Sequence, residues 1–333
     1  MSSVNVMELA RATFPHVWVV VPAYNCASTV RLAMRSALRQ RGVNVTLVAV
    51  DHGSTDGTLE AVERERFRWP ESEVSVLSIG RVPGEKASAS RPLNAGLGIV
   101  TNRESISHNE WFLRLDADDF LLSDTVLHEM LDEGTQSRDL IIGKLIFFDD
   151  RLQQAHRYGP RREWESRERL LVGGGYALPH HAMLVRRRAL EAASRPDGRY
   201  YDEDIGYGED LDLSLRLIRG TSQNQIVSND HDVLCKSLGG AISNTAGSWS
   251  VLRDMCRVFA NNPEISRSLL IRLGFDLLFR DMGPRLHWAR RIAGQPSAQV
   301  GIWEPTPYTT VELRRNALKS EIQEQEVSEG NRV

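Results

Sequence analysis

Short apolar runs alternate with helical segments along the first 120 residues. The runs lie at residues 17–21, 45–50, 74–79 and 111–115. The first is β-branched and stops at Pro22, a pattern typical of a strand buried on both faces of a parallel sheet. The intervening segments, such as 27–40, repeat apolar residues every three or four positions. Strands that alternate with helices at this spacing predict βαβ units and a mostly parallel sheet.

The pattern becomes less regular after residue 120. A strand is predicted over 140–148, another ends at Val185, and a helix covers 211–219. Strand signals disappear after about residue 246, and two or three helices are predicted over 247–294. Polar, acidic composition predicts a disordered tail. The chain therefore divides into an N-terminal extension (1–14), an α/β domain (15–245), a helical extension (246–318) and the tail (319–333).

Composition and charge are those of an ordinary soluble protein and narrow the choice of partners. The hydrophobic share of 41% and the charged share of 26% exclude collagen-like, low-complexity and wholly disordered chains. The net charge of −3 provides no overall basic field for nucleic acid. Three isolated cysteines predict neither a disulfide framework nor a zinc site. Without a signal-peptide core or an apolar run of about 20 residues, we expect a soluble, cytoplasmic protein.

Polar residues follow three of the predicted strands where each strand ends. They occupy positions 22–25, 51–58 and 116–119. The carboxyl ends of parallel strands meet at one edge of the sheet, and ligands bind there near a switch in strand order. Together these segments provide groups for the base, ribose and diphosphate of a nucleotide. Taken alone, the segment 51–58 is equally well interpreted as an ordinary turn, because Asp, Gly, Ser and Thr favour turns.

Asp116 and Asp118 form a D-x-D pair directly after the fourth predicted strand. In extended backbone, side chains two residues apart point the same way, so both carboxylates can reach one cation. Mg²⁺ and Mn²⁺ prefer such oxygen ligands and often bind substrate phosphates as well. Asp119 adds a third carboxylate. The alternative is a solvated acidic turn or a helix N-cap before Phe120.

Four segments together resemble family 2 glycosyltransferases with the GT-A fold. They are V-V-V-P-A-Y-N at 19–25, V-D-H-G-S-T-D-G-T at 50–58, L-D-A-D-D at 115–119 and G-E-D-L-D-L-S-L-R-L at 208–217. They occur in the family's order and at similar separations, and the resemblance covers residues 15–245. It implies an α/β fold of GT-A type, a Rossmann-like, mostly parallel sheet flanked by helices, with a C-terminal helical extension. It also implies transfer of a sugar from a nucleotide-diphosphate sugar to an acceptor hydroxyl, with inversion.

The resemblance implies a nucleotide-binding half at 15–119 and an acceptor-binding half at 120–245. The implied contacts to the donor nucleotide are Pro22, Tyr24, Asn25, Asp51, His52, Arg91, Asp116 and Ala117. The implied ligands of a Mn²⁺ or Mg²⁺ ion are Asp118, Asp116 and Asp119. A divalent cation at this position would stabilise the negative charge that builds on the departing diphosphate.

The resemblance also implies a catalytic pair directly before the helix predicted over 211–219. Asp210 would take the proton of the acceptor hydroxyl, which is a poor nucleophile until a positioned carboxylate does so. Glu209 would orient Asp210 or the acceptor. The alternative is that both residues only form an acidic first helical turn, which the helix dipole favours.

Three departures from the family pattern leave details open. His52 replaces an Asp that commonly bonds the base, so the preferred base is undetermined; the alternative is a solvated turn residue. More residues separate Arg91 from Asn94 than in the family's A-R-N segment. No histidine stands where relatives complete the metal site, so either His231 substitutes or Lys236 contacts the diphosphate directly.

Two residues are candidates for contacts to the acceptor or the donor sugar. His181 follows a glycine loop and stands next to His180, and adjacent residues of a strand point to opposite faces. At most one of the two is therefore expected to face a site. Trp164 would stack on a sugar face or, alternatively, pack against the sheet. The acceptor is predicted to be a small molecule, a glycoside or a glycan.

Leucines and arginines over 264–293 predict basic amphipathic helices. Such helices would pack on the catalytic domain or in a homodimer, and the same pattern suits peripheral contact with an anionic membrane. Two other functions stay open, a nucleotidyltransferase and a non-catalytic nucleotide-sugar-binding relative. The first would need a glycine-rich, basic phosphate loop, which residues 22–25 do not provide. The second would have lost the D-x-D or the Glu209–Asp210 pair, and both are present.

Overall fold

The computed structural model describes residues 14–82, 85, 88–102, 110–132, 137–149, 152–160, 180–237, 248–263 and 301–330. Trp164, the amphipathic segment 264–293 and almost all of the predicted N-terminal extension lie outside the described residues. The hypotheses about sugar stacking, a homodimer and membrane contact that depend on them therefore stay predictions.

The described residues form one mixed sheet with helices packed on it. The strands are β1 (His16–Ala23), β2 (Asn44–Asp51), β3 (Glu73–Ser78), β4 (Glu110–Arg114), β5 (Phe120–Leu121), β6 (Leu140–Asp149), β7 (Gln154–Pro160), β8 (Met183–Arg186), β9 (Ile226–Ser237) and β10 (Gly301–Thr306). The helices are α1 (Val30–Leu38), α2 (Thr58–Arg68), α3 (Ser90–Asn102), α4 (Val126–Asp132), α5 (Arg187–Ala192), α6 (Glu209–Gly220), α7 (Ser248–Asn261) and α8 (Tyr308–Gly330). Short 3-10 helices cover His180–Ala182 and Gln223–Gln225. The strand order is β10-β7-β6-β8-β4-β1-β2-β3, and β9 pairs with β5 and β6 beside this path.

The first half of the chain builds the parallel part of the sheet. β1 pairs in parallel with β2 and β4, and β2 pairs in parallel with β3. Val19 belongs to the core that contains Met34 of α1, and Val20 to the core that contains Leu97 of α3. α3 lies so close to β1 that a Cβ on Gly96 would stand 2.6 Å from Val20 Cγ1. Because helices bury both faces, β1 is an unbroken apolar run, and the predicted α/β class is confirmed.

The second half extends the sheet mainly with antiparallel pairs. β4 pairs with β8, β8 with β6, β6 with β7 and β7 with β10, all antiparallel. β9 runs parallel to β6 and antiparallel to the short β5. In the β5–β9 register Phe120 stands opposite Cys235. Continued by one residue, this register brings Lys236 alongside Asp119, just past the end of β4.

The C-terminal region differs from the prediction in two ways. β10 is a strand beyond residue 246, and α8 covers most of the segment predicted to be a disordered tail. Val311 and Leu318 of α8 are buried in one core with Phe120. This apolar contact fixes α8 on the α/β domain. No helix in the described part of the chain is both long enough and apolar enough to cross a bilayer.

Salt bridges join the polar half of α8 to the helix α1. Glu321 pairs with Arg39, and Glu326 pairs with Arg31, at α1. The acidic residues whose composition predicted disorder are therefore partly neutralised by arginines from the start of the chain. Composition alone does not reveal such pairing, because its partners lie far apart in sequence.

Candidate active site

A cleft of about 680 Å³ opens where β1 and β4 end, at the point where the strand order switches direction. The predicted site residues that line it are Pro22, Tyr24, Asn25, His52, Asp116, Ala117, Asp118, His181, Glu209 and Asp210. Arg114, His180 and Lys236 line it as well. The sequence segments that were predicted to meet therefore do meet in one cleft.

The three carboxylates after β4, those of Asp116, Asp118 and Asp119, form a compact group, which we call the D-x-D cluster. Their ligand oxygens, one each from Asp116, Asp118 and Asp119, lie within 4.8 Å of one another. A turn in which the Asp119 N–H donates to the Asp116 carbonyl oxygen at 3.0 Å brings them together. Burial raises the pKa of both Asp118 and Asp119, as expected where several acids share one site. Hard oxygen ligands this close together fit a divalent cation such as Mn²⁺ or Mg²⁺.

Positively charged groups surround Asp116. Arg114 Nε lies 2.8 Å from its Oδ1, and Lys236 Nζ lies 3.1 Å from its Oδ2 and 3.2 Å from Asp119 Oδ2. Burial would raise the pKa of Asp116, but the charges of Arg114 and Lys236 hold it well below its ordinary value. Burial alone would lower the pKa of Lys236, and the neighbouring carboxylates raise it instead. At neutral pH Asp116 is therefore a carboxylate and Lys236 an ammonium.

Arg114 joins the two acidic groups of the cleft, and no sequence motif had singled it out. Its Nη1 lies 3.2 Å from Glu209 Oε1, while its Nε contacts Asp116. The residue is 5% exposed. The signal that could have found it is a charge inside the otherwise apolar run at 111–115, two positions before Asp116 and so on the same face of the strand.

Glu209 and Asp210 begin α6, and both side chains line the cleft. Gly208 precedes them at φ +87°, a left-handed conformation that favours glycine, and a Cβ there would lie 3.1 Å from Met255 Sδ. The Leu211 N–H donates to Asp210 Oδ1 at 2.8 Å. The dipole at the start of a helix favours negative charge at this position.

The two acids at the start of α6 differ in protonation. Burial raises the pKa of Glu209 to about 7, against the charge of Arg114 and with the help of the Asp210 charge. Burial would also raise the pKa of Asp210, but interactions with His181 and Arg114 lower it below its ordinary value. The pair therefore combines an ionised Asp210 with a Glu209 that is partly protonated at neutral pH.

Both His180 and His181 line the cleft, so the prediction that at most one would do so is wrong. They lie in a 3-10 turn rather than a strand, and their side chains do not alternate between two faces. His181 Nε2 lies 3.0 Å from Asp116 Oδ2, beside the D-x-D cluster. His180 contacts Ser214 Oγ and the Tyr201 hydroxyl, each at 2.9 Å, and burial lowers its pKa to about 3. His180 is therefore neutral and fixed in orientation.

The loops after β1 and β2 are hydrogen-bonded to each other at the cleft. Asn25 Oδ1 accepts the Thr55 N–H at 2.9 Å, and the Asn25 N–H donates to Ser54 Oγ at 3.0 Å. The neighbouring Tyr24 is 43% exposed, and Arg81 Cζ lies 4.6 Å from the centroid of its ring. An exposed aromatic ring in a cleft is a surface on which a nucleobase can stack.

His52 is 3% exposed, so the alternative of a solvated turn residue is wrong. Its Nε2 lies 3.1 Å from Glu85 Oε1, and Arg91 Nη1 donates to Glu85 Oε2 at 2.9 Å. Burial lowers the pKa of His52, although Glu85 acts in the opposite direction, and the ring is therefore neutral at pH 7. A neutral imidazole, oriented by one carboxylate, stands where relatives carry an Asp.

Some candidate residues lie outside the lining of this cleft. Arg91 contacts Glu85 instead, and Asp119 is fully buried. Asp51 is 2% exposed, and its Oδ2 accepts the Ser78 hydroxyl at 3.2 Å. His231, the alternative metal ligand, has its Nδ1 3.8 Å from Glu129 Oε2. Asp51 and Arg91 therefore lie behind the surface of the cleft, in contact with the segments around it.

The fold and the cleft together define a class of protein. A sheet with a switch in strand order, an acid cluster suited to a cation and a second acidic pair in the same cleft are typical of nucleotide-sugar-dependent transferases. The family model for glycosyl transferase family 2 matches residues 18–193. This match covers more than half of the sequence, and the chain belongs to glycosyl transferase family 2.

Comparison with known proteins agrees with this assignment. Chondroitin synthase of Pasteurella multocida is 29% identical over 209 residues, which cover 61% of this chain and 19% of that protein, so the chain spans about a fifth of its length. S. aureus TarS, solved in complex with UDP-GlcNAc, superposes with a TM-score of 0.55 at 18% identity, over 80% of this chain and 72% of that one. Mannosyltransferase PcManGT of Pyrobaculum calidifontis, solved with GDP-Man and Mn²⁺, superposes with a TM-score of 0.53 at 16% identity, over 93% and 88%. The predicted GT-A fold is thereby confirmed.

Proposed function

We propose that this protein transfers a sugar from a nucleoside-diphosphate sugar to an acceptor hydroxyl, with inversion and with the help of a divalent cation. The observation that carries the proposal is the presence, in one cleft, of an acid cluster suited to a cation and a separate ionised carboxylate, Asp210. Inverting transfer needs one group to stabilise the departing diphosphate and another to take the acceptor proton. The two acidic groups match these two needs.

The nucleoside is assigned to the loops after β1 and β2. Tyr24 offers an exposed ring for stacking, and His52 offers a neutral imidazole edge that Glu85 orients. Unlike a carboxylate, a neutral imidazole has one donor and one acceptor. TarS was solved with UDP-GlcNAc and PcManGT with GDP-Man, so this fold accommodates both a pyrimidine and a purine. The choice of base is therefore expected to depend on His52.

The diphosphate is assigned to the D-x-D cluster. Asp118 and Asp116, which line the cleft, would hold the cation, with the buried Asp119 behind them. When bound, Mn²⁺ or Mg²⁺ would supply Lewis-acid stabilisation of the charge on the diphosphate. Arg114 holds Asp116 in place through the 2.8 Å contact to its Oδ1. The Mn²⁺ in the PcManGT complex supports this assignment.

Asp210 is the proposed general base. It is ionised at neutral pH, and the Leu211 N–H fixes its Oδ1 while helix α6 holds the residue at the cleft. A carboxylate held in this way can take the proton of an acceptor hydroxyl as the oxygen attacks the sugar. Attack from the face opposite the departing diphosphate then inverts the anomeric carbon. Glu209, paired with Arg114, is proposed to orient Asp210 and the acceptor.

The acceptor is proposed to be a glycan, a glycoside or a small molecule with a free hydroxyl. Similarity to a chondroitin synthase makes glycans the first class to test. His181 and Trp164 stay candidates for contacts to the acceptor, and His181, whose Nε2 lies 3.0 Å from Asp116 Oδ2, is also a candidate for a contact to the donor sugar. Residues 15–119 would thus bind mainly the donor, and 120–245 would complete the acceptor side.

The test is incubation with UDP-sugars and GDP-sugars in Mn²⁺, with and without oligosaccharide acceptors. We expect nucleoside diphosphate to be released in step with sugar transfer, and slowly by hydrolysis without an acceptor. Asp210→Asn in the same buffer is the control for contaminating activity. Pyrophosphate exchange would indicate a nucleotidyltransferase, and binding without release would indicate a non-catalytic relative. Either result would overturn the proposal.

A further inference from the structure

We propose that Lys236 is a built-in cation of the donor site that binds the donor diphosphate directly, so that a nucleoside diphosphate binds even without a divalent cation. The inference rests on the proposed function, because it concerns how the same donor is held. It assigns to one lysine of β9 part of the role that the acid cluster would otherwise leave to a metal ion.

The strand register fixes where the Lys236 ammonium lies. β9 runs antiparallel to β5, and the pairing of Cys235 with Phe120 puts Lys236 next to Asp119. Its Nζ lies 3.1 Å from Asp116 Oδ2 and 3.2 Å from Asp119 Oδ2. The lysine side chain is 19% exposed and lines the cleft. A positive charge is therefore present where the acid cluster faces the cleft.

The other permanent cation of the cleft is less able to move to a ligand. Among the described residues that line the cleft, Arg114 is the only permanent cation besides Lys236, and it is 5% exposed. Its guanidinium is already held by Asp116 through Nε and by Glu209 through Nη1. A lysine instead presents three rotatable donors on a flexible stem and binds phosphate as a point charge. Contacts to two carboxylates leave Lys236 a third donor for a phosphate oxygen.

The charges of the cluster explain why such a cation is needed. Carboxylates alone would repel the diphosphate of a donor, and Lys236 offsets part of that charge. If another cation takes Asp116 Oδ2, the ammonium loses one partner and can turn to the phosphate oxygens. Lys236 therefore acts beside a divalent cation when one is bound and remains when none is. Its effect should be clearest in metal-free buffer.

A purely structural lysine would give a different result. If Lys236 only neutralised the buried Asp119, its removal would lower stability and leave diphosphate affinity unchanged. The variants Asp119→Asn and Asp119→Asn/Lys236→Met separate the two roles, because residue 119 is a neutral amide in both and the two proteins differ only in the Lys236 ammonium. In the double variant Asp116 keeps its contact with Arg114 and residue 119 needs no cation, and thermal melting of both variants checks that they fold.

The experiment measures binding of UDP and GDP by calorimetry in EDTA and in Mn²⁺, with uridine and guanosine as controls without phosphate. Wild-type protein and Asp119→Asn should bind a nucleoside diphosphate in EDTA. Adding Lys236→Met to Asp119→Asn should weaken that binding about 10- to 100-fold, the effect of losing a charge-assisted hydrogen bond. Affinity for the nucleoside should not change, and Lys236→Arg should retain part of the diphosphate affinity.

Three outcomes would overturn the inference. Equal diphosphate affinity of Asp119→Asn and the double variant in EDTA would overturn it and leave the proposed function standing. Wild-type binding that appears only with Mn²⁺ would do the same. Absence of nucleoside diphosphate binding by the wild type both in EDTA and in Mn²⁺ would overturn both proposals together.

Discussion

The D-x-D cluster and the Glu209–Asp210 pair are both acidic, but different partners surround them. Asp116 has Arg114 Nε at 2.8 Å and Lys236 Nζ at 3.1 Å. The second pair lies at the N-terminus of α6, where Asp210 accepts the backbone N–H of Leu211 at 2.8 Å. One group is therefore surrounded by side-chain cations, whereas the other is held mainly by a helix.

This difference shows how neighbouring groups adapt carboxylates to different chemical roles. Carboxylates with cations beside them suit the binding of a metal ion and a diphosphate, whereas an ionised carboxylate fixed by a backbone N–H suits the acceptance of a proton. Arg114 contacts both groups, with Nε at Asp116 and Nη1 at Glu209. A change at Glu209, the member of the second pair that Arg114 contacts, is therefore expected to be felt at Asp116.

The largest effect on transfer should come from removing the divalent cation or its ligand Asp118. EDTA should abolish transfer, and Mn²⁺ or Mg²⁺ should restore it. Asp118→Ala should lose both transfer and the gain in nucleotide affinity that Mn²⁺ provides, because Asp118 is a member of the cluster that faces the cleft. Transfer assays and calorimetry with and without Mn²⁺ measure both quantities. Full activity in metal-free buffer would contradict this prediction.

Asp210→Asn should slow the proton transfer from the acceptor and leave donor binding intact. The substitution keeps the shape of the side chain and removes its basicity, so turnover should fall about 10²- to 10⁴-fold. Donor affinity should barely change, because the cluster around Asp116 is untouched. Calorimetric donor affinity and transfer rate are measured together, with Asp118→Ala as the variant of opposite pattern. A near-normal rate would show that Asp210 is only a helix-capping acid, and loss of donor binding would make Glu209 the next candidate base.

Glu209→Gln should change how stability depends on pH. Between pH 4.5 and about 7 the unfolded state loses the Glu209 proton while the folded state keeps it, so this residue makes the wild type less stable as pH rises. The penalty is at most about 3 kcal/mol above pH 7. A glutamine cannot ionise and avoids it. The thermal midpoint of Glu209→Gln relative to wild type should therefore rise by on the order of 5 °C between pH 5 and pH 8.

Calorimetric melting curves over this pH range are the measurement for Glu209. Glu63→Gln on α2, where 36% of the side chain is exposed, is the matched surface control. A difference between Glu209→Gln and wild type that stays constant from pH 5 to pH 8 would show that the Glu209 carboxyl is ionised throughout. The contrast in protonation between Glu209 and Asp210 would then be lost.

His52→Asp should have the smallest effect, on the choice of base. It replaces a neutral ring beside Glu85 by a carboxylate and should change the ratio of UDP to GDP affinity by about tenfold, the contribution of about one hydrogen bond. A thermal-shift screen of nucleoside diphosphates in Mn²⁺ measures the ratio, with His52→Gln as the neutral polar control. An unchanged preference and affinity would remove His52 from base recognition.

The parallel half of the fold could be predicted because its signals are local. β1, β2 and β4 are mostly apolar runs that are almost entirely buried, whereas β3 is a half-buried edge strand. The ends of β1, β2 and β4 carry polar residues that line the cleft. The Asp116–Asp118 pair and Asp210 were found through motifs of adjacent residues. Their meeting in one cleft follows from the sheet topology that the βαβ pattern had predicted.

Other parts could not be predicted because they depend on contacts between distant residues. β10 pairs with β7 across more than 140 residues, and α8 packs on a core that contains Phe120 and forms salt bridges with α1. Arg114 can link Asp116 to Glu209 only because the fold brings the end of β4 next to the start of α6, which the sequence does not reveal. The sequence predicts a strand at His180 and His181, whereas a 3-10 turn directs both side chains into the cleft.

The stereochemistry of a single transfer distinguishes an inverting glycosyltransferase with Asp210 as base from the alternatives. Proton NMR would follow the anomeric signal of an α-linked nucleotide sugar, with Mn²⁺ replaced by Mg²⁺ to avoid paramagnetic broadening, while released nucleoside diphosphate is quantified. We expect a β-linked product and one nucleoside diphosphate for each sugar transferred, and Asp210→Asn should form both about 10²- to 10⁴-fold more slowly. An α-linked product, or release of pyrophosphate instead of nucleoside diphosphate, would contradict it.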